Sequence, residues 1–483
     1  MVIAEFVFSG AERAPDKTAL VHNSRTLSYL ELARAIAAAR RGFHDAGLGG
    51  EGVAIVAANS LLGFWVWSLA LRDLGLTTVA ARSIDHVAAG AGLAGVRAVV
   101  GGAGEAAPGL EAACERLGAP LIRGEVDAAS SEPLEAPHRA VRPGGHILQT
   151  SGTTGDYKSV LMDPSFEAAF LRRRCEDYDI GPDALVGADD FGPWTGAGYK
   201  TAACVWLAGA AVLIHQGRDR SRPFARPDLT HAMMIPVVLS QALEALPAAH
   251  RRNDALQLYV GGGPMSQALA DAARERLTPR LYSTIAATET SAFTQTLIET
   301  PSDRRWHRPI PGRGLEVVDE DDRPVPAGVI GRVRVLADGP TAYLNDEPAT
   351  RRFFRGGYFY PGDLAVIRAD GRMALHGRTT DVINVMGVKL SPAPVEDALR
   401  ERLGVSEVCL FSMQDAAGEE RLHVALETRT PPPADQIAAA ISQEIRGFAD
   451  AQVHFVTGMP RNGMGKVMRA RLRGLLFPEA AAV

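Results

Sequence analysis

One short segment of the chain concentrates residue types that bind phosphate. Residues 146–164 read HILQTSGTTGDYKSVLMDP. Within this segment, hydroxyl side chains and glycines precede Lys158, and these loop residues are Ser151, Gly152, Thr153, Thr154 and Gly155. Hydroxyl groups, main-chain N–H groups and an ammonium group can together hold a phosphate. The same composition is common in surface turns, so the segment alone leaves both interpretations open.

A Walker A loop is one candidate for this segment. Gly152, Lys158 and Ser159 stand at the spacing of that motif, but Tyr157 replaces its second glycine. A Walker A loop must also run directly into a helix whose N-terminus faces the phosphates. The residues after Lys158 instead form a short apolar run that is typical of a strand. We therefore predict two strands joined by a flexible polar loop, at about 146–149 and 159–162.

Helical and strand-like segments alternate before and after this loop. Apolar residues recur at helical spacing over Leu27–Leu48 and Leu61–Leu71, and β-rich runs follow at Val53–Val56 and Thr77–Val79. This alternation predicts an α/β fold with mainly parallel sheets covered by helices. A GGGP turn follows the strand-like run Leu256–Val260, and α/β sheets place ligands at such turns.

The last third of the chain has a different pattern. Short strands with Gly, Pro and Asp turns between Gly314 and Leu375 predict a smaller β-rich unit. The final hundred residues alternate helix-like and strand-like segments, which predicts a small C-terminal α+β domain. We place the boundary near Thr380, with an N-terminal domain at 1–379 and a C-terminal domain at 380–483.

Composition and charge exclude several classes of protein. With 483 residues, of which 46% are hydrophobic, the chain can form two or three domains with cores. A net charge of −5 argues against nucleic acid as a partner, and we read the run Arg172–Arg174 as a solvated helix face. The most apolar windows fall short of the about 20 residues needed to span a bilayer. No secretory signal is apparent, and four scattered cysteines predict reduced core residues in a cytoplasmic protein.

Four further segments complete a pattern with the opening loop. They are IAATE at Ile285–Glu289, GYFYPGDL at Gly357–Leu364, GRTTDVINVMGVKLSP at Gly377–Pro392 and PRNGMGKVMR at Pro460–Arg469. In this order the five segments resemble the adenylate-forming superfamily of acyl-CoA synthetases, free-standing adenylation domains and luciferases, over nearly the whole chain. The resemblance implies an enzyme that activates a carboxylic acid with ATP and Mg²⁺ and releases pyrophosphate. It also implies transfer of the acyl group to CoA or to the pantetheine of a carrier protein.

The resemblance assigns catalytic and nucleotide-binding roles to matching residues. Lys466 would be the mobile lysine that bridges the substrate carboxylate and the α-phosphate, and Thr288 would hydrogen-bond that phosphate. Glu289 would help to hold Mg²⁺, for which oxygen ligands are suited. Asp363 would accept the ribose hydroxyls, and Arg378 would contact ribose or phosphate. Taken alone, Lys466 is typical of a solvated lysine, Glu289 of a surface carboxylate and Asp363 of a turn-capping carboxylate.

The same resemblance implies the remaining parts of the site. The loop at 151–155 would close with Lys158 over the β- and γ-phosphates. Adenine would lie against Gly262, Gly263 and Pro264. The acyl pocket would draw on Trp194, Gly261, Ile285 and Ala287, although a tryptophan among apolar strands is also compatible with the core. Thr380 would be the hinge, Gly387 would let pantetheine pass close to the backbone or serve only as a turn glycine, and Lys389 would steer phosphate.

The sequence departs from the family pattern at four positions where the family usually carries other residues: Tyr157, Ile285, Pro361 and Thr380. These departures leave open a degenerate member that binds nucleotide or acyl ligand without catalysis. They also leave open an adenylate-forming enzyme with another acceptor. No acidic residue is placed clearly enough to pair with the ammonium group of an amino acid, so we expect a small or medium carboxylic acid. The sequence does not indicate an oligomeric state.

Overall fold

The structure is a computed structural model of the chain, and it describes residues 3–102, 108–129, 134, 142–151, 157–188, 192–385, 388–414, 420–445, 451–461 and 467–478. At positions 151, 157, 384–385 and 388–389 it describes the backbone but not the side chains.

Helices occur along the whole described chain. The α-helices are α1 (Ile3–Arg13), α2 (Tyr29–Asp45), α3 (Leu61–Asp73), α4 (Ile84–Ala88), α5 (Leu110–Leu117), α6 (Pro164–Asp177), α7 (Gly196–Leu207), α8 (Pro236–Ala245), α9 (Gln267–Arg276), α10 (Glu347–Phe353), α11 (Pro392–Leu403), α12 (Ala434–Glu444) and α13 (Arg469–Leu476).

Strands alternate with these helices. They are β1 (Thr18–His22), β2 (Arg25–Ser28), β3 (Val53–Ala57), β4 (Thr77–Ala80), β5 (Val96–Gly102), β6 (Leu121–Gly124), β7 (His146–Ser151), β8 (Tyr157–Met162), β9 (Leu185–Gly187), β10 (Ala211–Ile214), β11 (His231–Met234), β12 (Gln257–Gly261), β13 (Leu281–Ala287), β14 (Ser291–Leu297), β15 (Glu316–Val318), β16 (Ile330–Leu336), β17 (Phe354–Arg355), β18 (Tyr358–Phe359), β19 (Asp363–Ile367), β20 (Met373–Arg378), β21 (Ile383–Val385), β22 (Val388–Leu390), β23 (Glu407–Gln414), β24 (Glu420–Glu427) and β25 (Gln452–Val456).

Two mainly parallel sheets form most of the chain before β15. One has the strand order β14-β13-β12-β11-β9-β10-β1-β2, and the other has the order β6-β5-β3-β4-β7-β8. The antiparallel pairs, β1–β2, β13–β14 and β7–β8, lie at sheet edges, and the other neighbours are parallel. The predicted α/β class is therefore confirmed.

Helices α3 and α7 connect the cores of the two sheets. Both are apolar on nearly all sides, as expected for helices buried on every face. The rings of Trp65 in α3 and Trp206 in α7 pack edge to face with centroids 5.0 Å apart. The largest hydrophobic cluster joins these helices to strands of both sheets. Dense packing of this kind fixes the position of α7, whose first turn lies at the candidate site.

The β-rich unit predicted between Gly314 and Leu375 is confirmed. Its antiparallel strands have the order β17-β18-β16-β19-β20, and β15 pairs with β16. This unit supplies the pair formed by Asp363 and Arg378, which lie opposite each other on β19 and β20.

The last segment contains the hairpin β21–β22 and the sheet β23-β24-β25, with helices α11 to α13. Apolar side chains from Ile383 onward pack among themselves in two clusters. Polar contacts join this segment to the preceding chain, including Glu401 Oε1 with Arg304 Nη2 at 2.8 Å. The separate clusters agree with a small C-terminal domain, but the boundary near Thr380 remains a prediction.

The structure corrects one sequence interpretation and supports another. Arg174 does not lie on a solvated helix face: it is buried between α6 and α7, where it donates hydrogen bonds to Ser291 and Thr201. The four cysteines are buried and free, as predicted for core residues. Among the helices of the described residues, none combines the length and the apolar character needed to cross a membrane.

Candidate active site

The predicted phosphate loop connects two paired strands. Strands β7 and β8 form an antiparallel hairpin in which Thr150 lies opposite Lys158 and Ser151 lies opposite Tyr157. Both strands are longer than predicted, so the connection is shorter. The loop residues Gly152, Thr153, Thr154 and Gly155 lie outside the described residues.

Lys158 points from this hairpin toward two aromatic rings. Its Nζ atom lies 5.1 Å from the ring centre of Phe353 and 5.8 Å from that of Tyr343. A lysine over aromatic rings gains electrostatic attraction while its ammonium group remains available to other anions. These contacts place Lys158 next to Tyr343, whose hydroxyl donates a hydrogen bond to Glu289.

Glu289 lies in the turn that joins β13 to β14. It is only 5% exposed, and its Oε1 atom accepts a hydrogen bond from the Tyr343 hydroxyl at 2.6 Å. Burial raises the pKa of Glu289, whereas the Tyr343 hydrogen bond and the charges of Lys200 and Lys158 oppose that shift. A buried carboxylate held in this way is suited to bind a cation.

The back of the same turn is held by two buried basic side chains. Lys200 Nζ donates a hydrogen bond to the main-chain carbonyl of Thr288 at 2.8 Å. Arg174 Nη1 donates to Ser291 Oγ at 2.8 Å, where Ser291 has a positive φ of 65°. A positive φ is unfavourable for serine, so the bond helps to stabilise the turn. Side chains from α6 and α7 thus hold the turn through its backbone and through Ser291.

Asp363 and Arg378 are brought together at the edge of the β-rich unit. Arg378 Nε lies 2.7 Å from Asp363 Oδ1, and Arg378 Nη1 donates to the carbonyl of Pro361 at 2.9 Å. The pKa of the Tyr343 hydroxyl is raised, chiefly by burial and then by Glu289, and the charge of Arg378 opposes that shift. Arg378 is thus close enough to act electrostatically on Tyr343, the hydrogen-bond partner of Glu289.

The GGGP turn follows β12 as predicted. Gly262, Gly263 and Pro264 are exposed at the carboxyl end of this strand, and Gly262 has a φ of 88°, which favours glycine. A Cβ atom on Gly261 would lie only 2.6 Å from Thr284 Oγ1 on β13, so the neighbouring strands approach closely here.

The residues predicted for the acyl pocket occupy different environments. Trp194 is 38% exposed, which excludes the core position considered from the sequence. Ile285 and Ala287 pack on one face of β13 against the hydrophobic cluster of the β-rich unit, and Ala286 between them is exposed. The acyl-pocket assignment stays a prediction.

Several predicted residues cannot be placed in the site. Lys466 and Gly387 lie outside the described residues, as does the side chain of Lys389. Thr380 is exposed, and its hydroxyl donates to Asp381. The described residues on either side of Lys466 are well anchored. Arg461 pairs with Val467 in a β-bridge, and Arg469 Nη2 lies 2.8 Å from Glu396 Oε1.

The structure adds three residues that the sequence reasoning missed. Tyr343 connects Lys158 with Glu289, and Lys200 and Arg174 hold the Thr288–Ser291 turn from behind. Lys200 carries a signal in the sequence, because it is the charged residue of the otherwise uncharged helix GAGYKTAACVWL. In the described chain, no group of three or more His, Cys, Asp and Glu side chains is arranged to hold a metal.

Curated relatives match this chain at low sequence identity. They include a fatty acid–[acyl-carrier-protein] ligase, ScoC of Streptomyces coeruleorubidus, which is 27% identical over 354 residues. The matched residues cover 69% of this chain and 68% of ScoC. The sequence likeness to ScoC therefore extends over about two thirds of each protein.

Solved structures share the fold over nearly the whole chain. Amide bond synthetase McbA of Marinactinospora thermotolerans has a TM-score of 0.83 at 21% identity, covering 98% of this chain and 99% of that one. The o-succinylbenzoate CoA synthetase MenE of Bacillus subtilis, in complex with ATP and magnesium ion, has a TM-score of 0.81 at 18% identity. The match covers 97% of this chain and 99% of MenE. At these identities the likeness establishes the fold.

The family model described as AMP-binding enzyme matches residues 7–341, which is more than half of the chain. Most of the site described above lies within that range. The likeness in fold to McbA covers 98% of this chain and so continues into the C-terminal segment. The protein therefore belongs to the AMP-binding enzyme family, the adenylate-forming superfamily that its sequence resembles.

Proposed function

We propose that this adenylate-forming enzyme activates a small or medium carboxylic acid with ATP and then forms a thioester with CoA or with a carrier-protein pantetheine. One observation carries the proposal. Lys158 lies over Tyr343, whose hydroxyl binds Glu289, and Glu289 follows Thr288 directly in the chain. A cation and a buried carboxylate thus lie against one tyrosine, and the carboxylate is next in sequence to Thr288, which supports a triphosphate site here.

The first step joins two anions, so the site must offset their repulsion. A carboxylate oxygen of the acid attacks the α-phosphorus, the bond to the bridging oxygen of pyrophosphate breaks, and pyrophosphate leaves with that electron pair. Thr288 would donate a hydrogen bond to the α-phosphate, and Lys158 would neutralise charge on the leaving pyrophosphate. Lys466 would bridge the attacking carboxylate and the α-phosphate. Fixed donors and cations at points of developing charge stabilise such a transition state.

Magnesium fits the donor chemistry of this site. Glu289 is a buried carboxylate that is already oriented by Tyr343, and carboxylate oxygen is a ligand that Mg²⁺ accepts. Mg²⁺ in nucleotide sites commonly uses one or two carboxylates and completes its coordination with phosphates and water. Bound there, the ion would supply positive charge to the phosphate oxygens.

The Asp363–Arg378 pair would bind the ribose. An ionised carboxylate accepts two hydroxyl hydrogen bonds readily, and Arg378 holds Asp363 through its Nε atom at 2.7 Å. Arg378 is itself fixed by the carbonyl of Pro361. This arrangement holds the Asp363 carboxylate in one orientation.

The relatives differ in the acceptor of the acyl group, as their names state. ScoC is a carrier-protein ligase, MenE a CoA synthetase and McbA an amide bond synthetase. We favour a thiol acceptor because the hairpin β21–β22 carries Gly387 and Lys389 immediately after the proposed hinge at Thr380. The C-terminal domain, 380–483, would swing at this hinge to bring the hairpin to the adenylate. Four buried free cysteines agree with a cytoplasmic location.

The test is pyrophosphate release by the purified protein with ATP, Mg²⁺ and a panel of aliphatic, aromatic and dicarboxylic acids. We expect release that depends on one class of acid. Addition of CoA, a phosphopantetheinylated carrier protein or an amine in separate reactions then identifies the acceptor. Nucleotide binding without release for any acid would favour a non-catalytic member of the family.

A further inference from the structure

Lys200 is a buried lysine in an otherwise uncharged helix. It lies in α7 and is only 2% exposed. Lysine is rarely buried without partners, because removing its charge from water is costly. Burial and the charge of Arg174 lower the pKa of Lys200 to about 7, while Glu289 opposes that shift. The contacts of Lys200 must explain why the chain tolerates it here.

Lys200 is bonded to the turn that carries the predicted phosphate and metal contacts. Its Nζ atom donates to the Thr288 carbonyl at 2.8 Å, and the ring centre of Phe170 lies 5.0 Å from the same Nζ atom. The bonded carbonyl belongs to the planar peptide between Thr288 and Glu289. Holding that peptide fixes the directions in which both side chains leave the backbone.

Gly196 contacts the same threonine one helical turn earlier. Residues four apart lie on one face of a helix, so Gly196 and Lys200 face Thr288 together. A Cβ atom at Gly196 would lie 3.0 Å from both Oγ1 and Cγ2 of Thr288, which is tighter than an ordinary contact. The side chain of Thr288 therefore packs onto the backbone of the first turn of α7. The carbonyl of Thr288 is held by Lys200 in the next turn of the helix.

Helix α7 is a rigid support for this contact. Thr195 caps its N-terminus by accepting a hydrogen bond from Gly198 N at 3.0 Å. At its other end Trp206 is buried against Trp65 and donates to the carbonyl of Ala19 at 3.0 Å. A helix fixed at both ends transmits its position to the residue that it contacts.

We propose that Lys200 and Gly196 are positioning residues that hold the Thr288 hydroxyl in place for the α-phosphate of the nucleotide. The inference rests on the proposed function, in which Thr288 binds that phosphate. Lys200 acts as a hydrogen-bond donor to the backbone, and Gly196 acts by leaving room for the side chain. Neither residue needs to touch the nucleotide.

The experiment measures AMP binding by calorimetry without Mg²⁺, followed by acid-dependent pyrophosphate release with Mg²⁺. AMP contains the α-phosphate, and omission of the metal removes the expected contribution of Glu289. We expect Lys200→Met and Gly196→Ala each to raise the Kd of AMP about 10-fold. We also expect kcat to fall on the order of 100-fold while the KM of the acid stays unchanged.

Lys17→Met is the matched control. Lys17 Nζ also donates to a main-chain carbonyl, that of Pro182 at 2.9 Å. It belongs to the segment before β1, and none of its contacts among the described residues involves a predicted site residue. Thermal unfolding of each variant separates loss of stability from loss of binding. We expect the control to bind AMP and to turn over like the unaltered protein.

Three results would overturn the inference. The first is a folded Lys200→Met variant with unaltered AMP affinity. The second is an equal loss of AMP affinity in the control Lys17→Met. The third is a loss of AMP binding in Lys200→Met that is fully explained by the fraction of unfolded protein. If Lys200→Met does not fold, Gly196→Ala decides: a weakened AMP affinity supports the inference, and an unchanged affinity overturns it. Failure of the unaltered protein to bind AMP contradicts the proposed function itself, and is therefore distinguishable from failure of the variants alone.

Discussion

Replacement of Asp363 by alanine should remove recognition of the ribose hydroxyls. The side chain of Asp363 is 12% exposed, so water screens its charge only weakly. A hydrogen bond to an ionised group contributes about 1.5–3 kcal/mol, which is about 10- to 100-fold in an equilibrium or specificity constant. We therefore expect the unaltered enzyme to prefer ATP over 2′,3′-dideoxy-ATP by at least about 10-fold in kcat/KM. In Asp363→Ala that preference should fall close to unity.

The structure indicates that this variant will fold. Arg378 loses its partner in Asp363→Ala, but its side chain is 33% exposed and it still donates to the Pro361 carbonyl at 2.9 Å. Water can therefore solvate the freed guanidinium group. Thermal unfolding checks this expectation before the kinetics are compared.

The assay is pyrophosphate release with each nucleotide at a saturating concentration of the preferred acid. Asp370→Ala is the matched control, because Asp370 also pairs with an arginine of the β-rich unit, Arg372, but is exposed. The control should keep the preference for ATP. An unchanged preference in Asp363→Ala would refute the assignment of Asp363 to the ribose.

Four other changes test the remaining parts of the site. Lys158→Ala should raise the KM of ATP and slow turnover without changing the ranking of acids; a changed ranking in the acid panel would move this residue to the acyl pocket. Tyr343→Phe should raise the Mg²⁺ concentration for half-maximal rate about 10-fold, because it frees Glu289; an unchanged Mg²⁺ titration would contradict that role. Lys466→Ala should lower acid-dependent pyrophosphate release by on the order of 10²- to 10³-fold with unaltered thermal unfolding, and unaltered rates would disprove it. Gly387→Leu should block thioester formation in single-turnover assays yet leave first-turnover pyrophosphate release intact, and equal loss of both steps would indicate a folding defect.

Much of the fold follows from local patterns in the sequence. The hairpin β7–β8, the helices α2 and α3 and the β-rich unit all lie where periodicity and turn residues predict them. These patterns are local, since a strand alternates every two residues and a helix repeats every 3.6. Local spacing thus predicts element type well and element ends less well, as the longer strands β7 and β8 illustrate.

The supports of the site depend on contacts between distant parts of the chain. Tyr343 binds Glu289 across 54 positions, Lys200 binds Thr288 across 88, and Arg174 binds Ser291 across 117. Periodicity carries no information on such pairs. Arg174 shows the consequence, because a run of three arginines resembles a solvated face until the packing of α6 against α7 buries one of them.

The motif residues were predictable for a different reason. Short segments that resemble those of a family predict Thr288, Glu289, Asp363 and Arg378, and the structure brings both segments near Tyr343. Their roles in binding nucleotide and metal stay predictions. Lys466 depends on the resemblance alone.

Tracing a labelled carboxylate oxygen tests most directly whether this protein forms an acyl-adenylate. A carboxylic acid from the active class, labelled with ¹⁸O in both carboxylate oxygens, is incubated with the enzyme, ATP, Mg²⁺ and the acceptor. Because the carboxylate oxygen attacks the α-phosphorus, one ¹⁸O atom should appear in AMP for each acyl group transferred, and pyrophosphate should be unlabelled. Formation of ADP and labelled inorganic phosphate, or of AMP without ¹⁸O, would contradict adenylate formation by this protein.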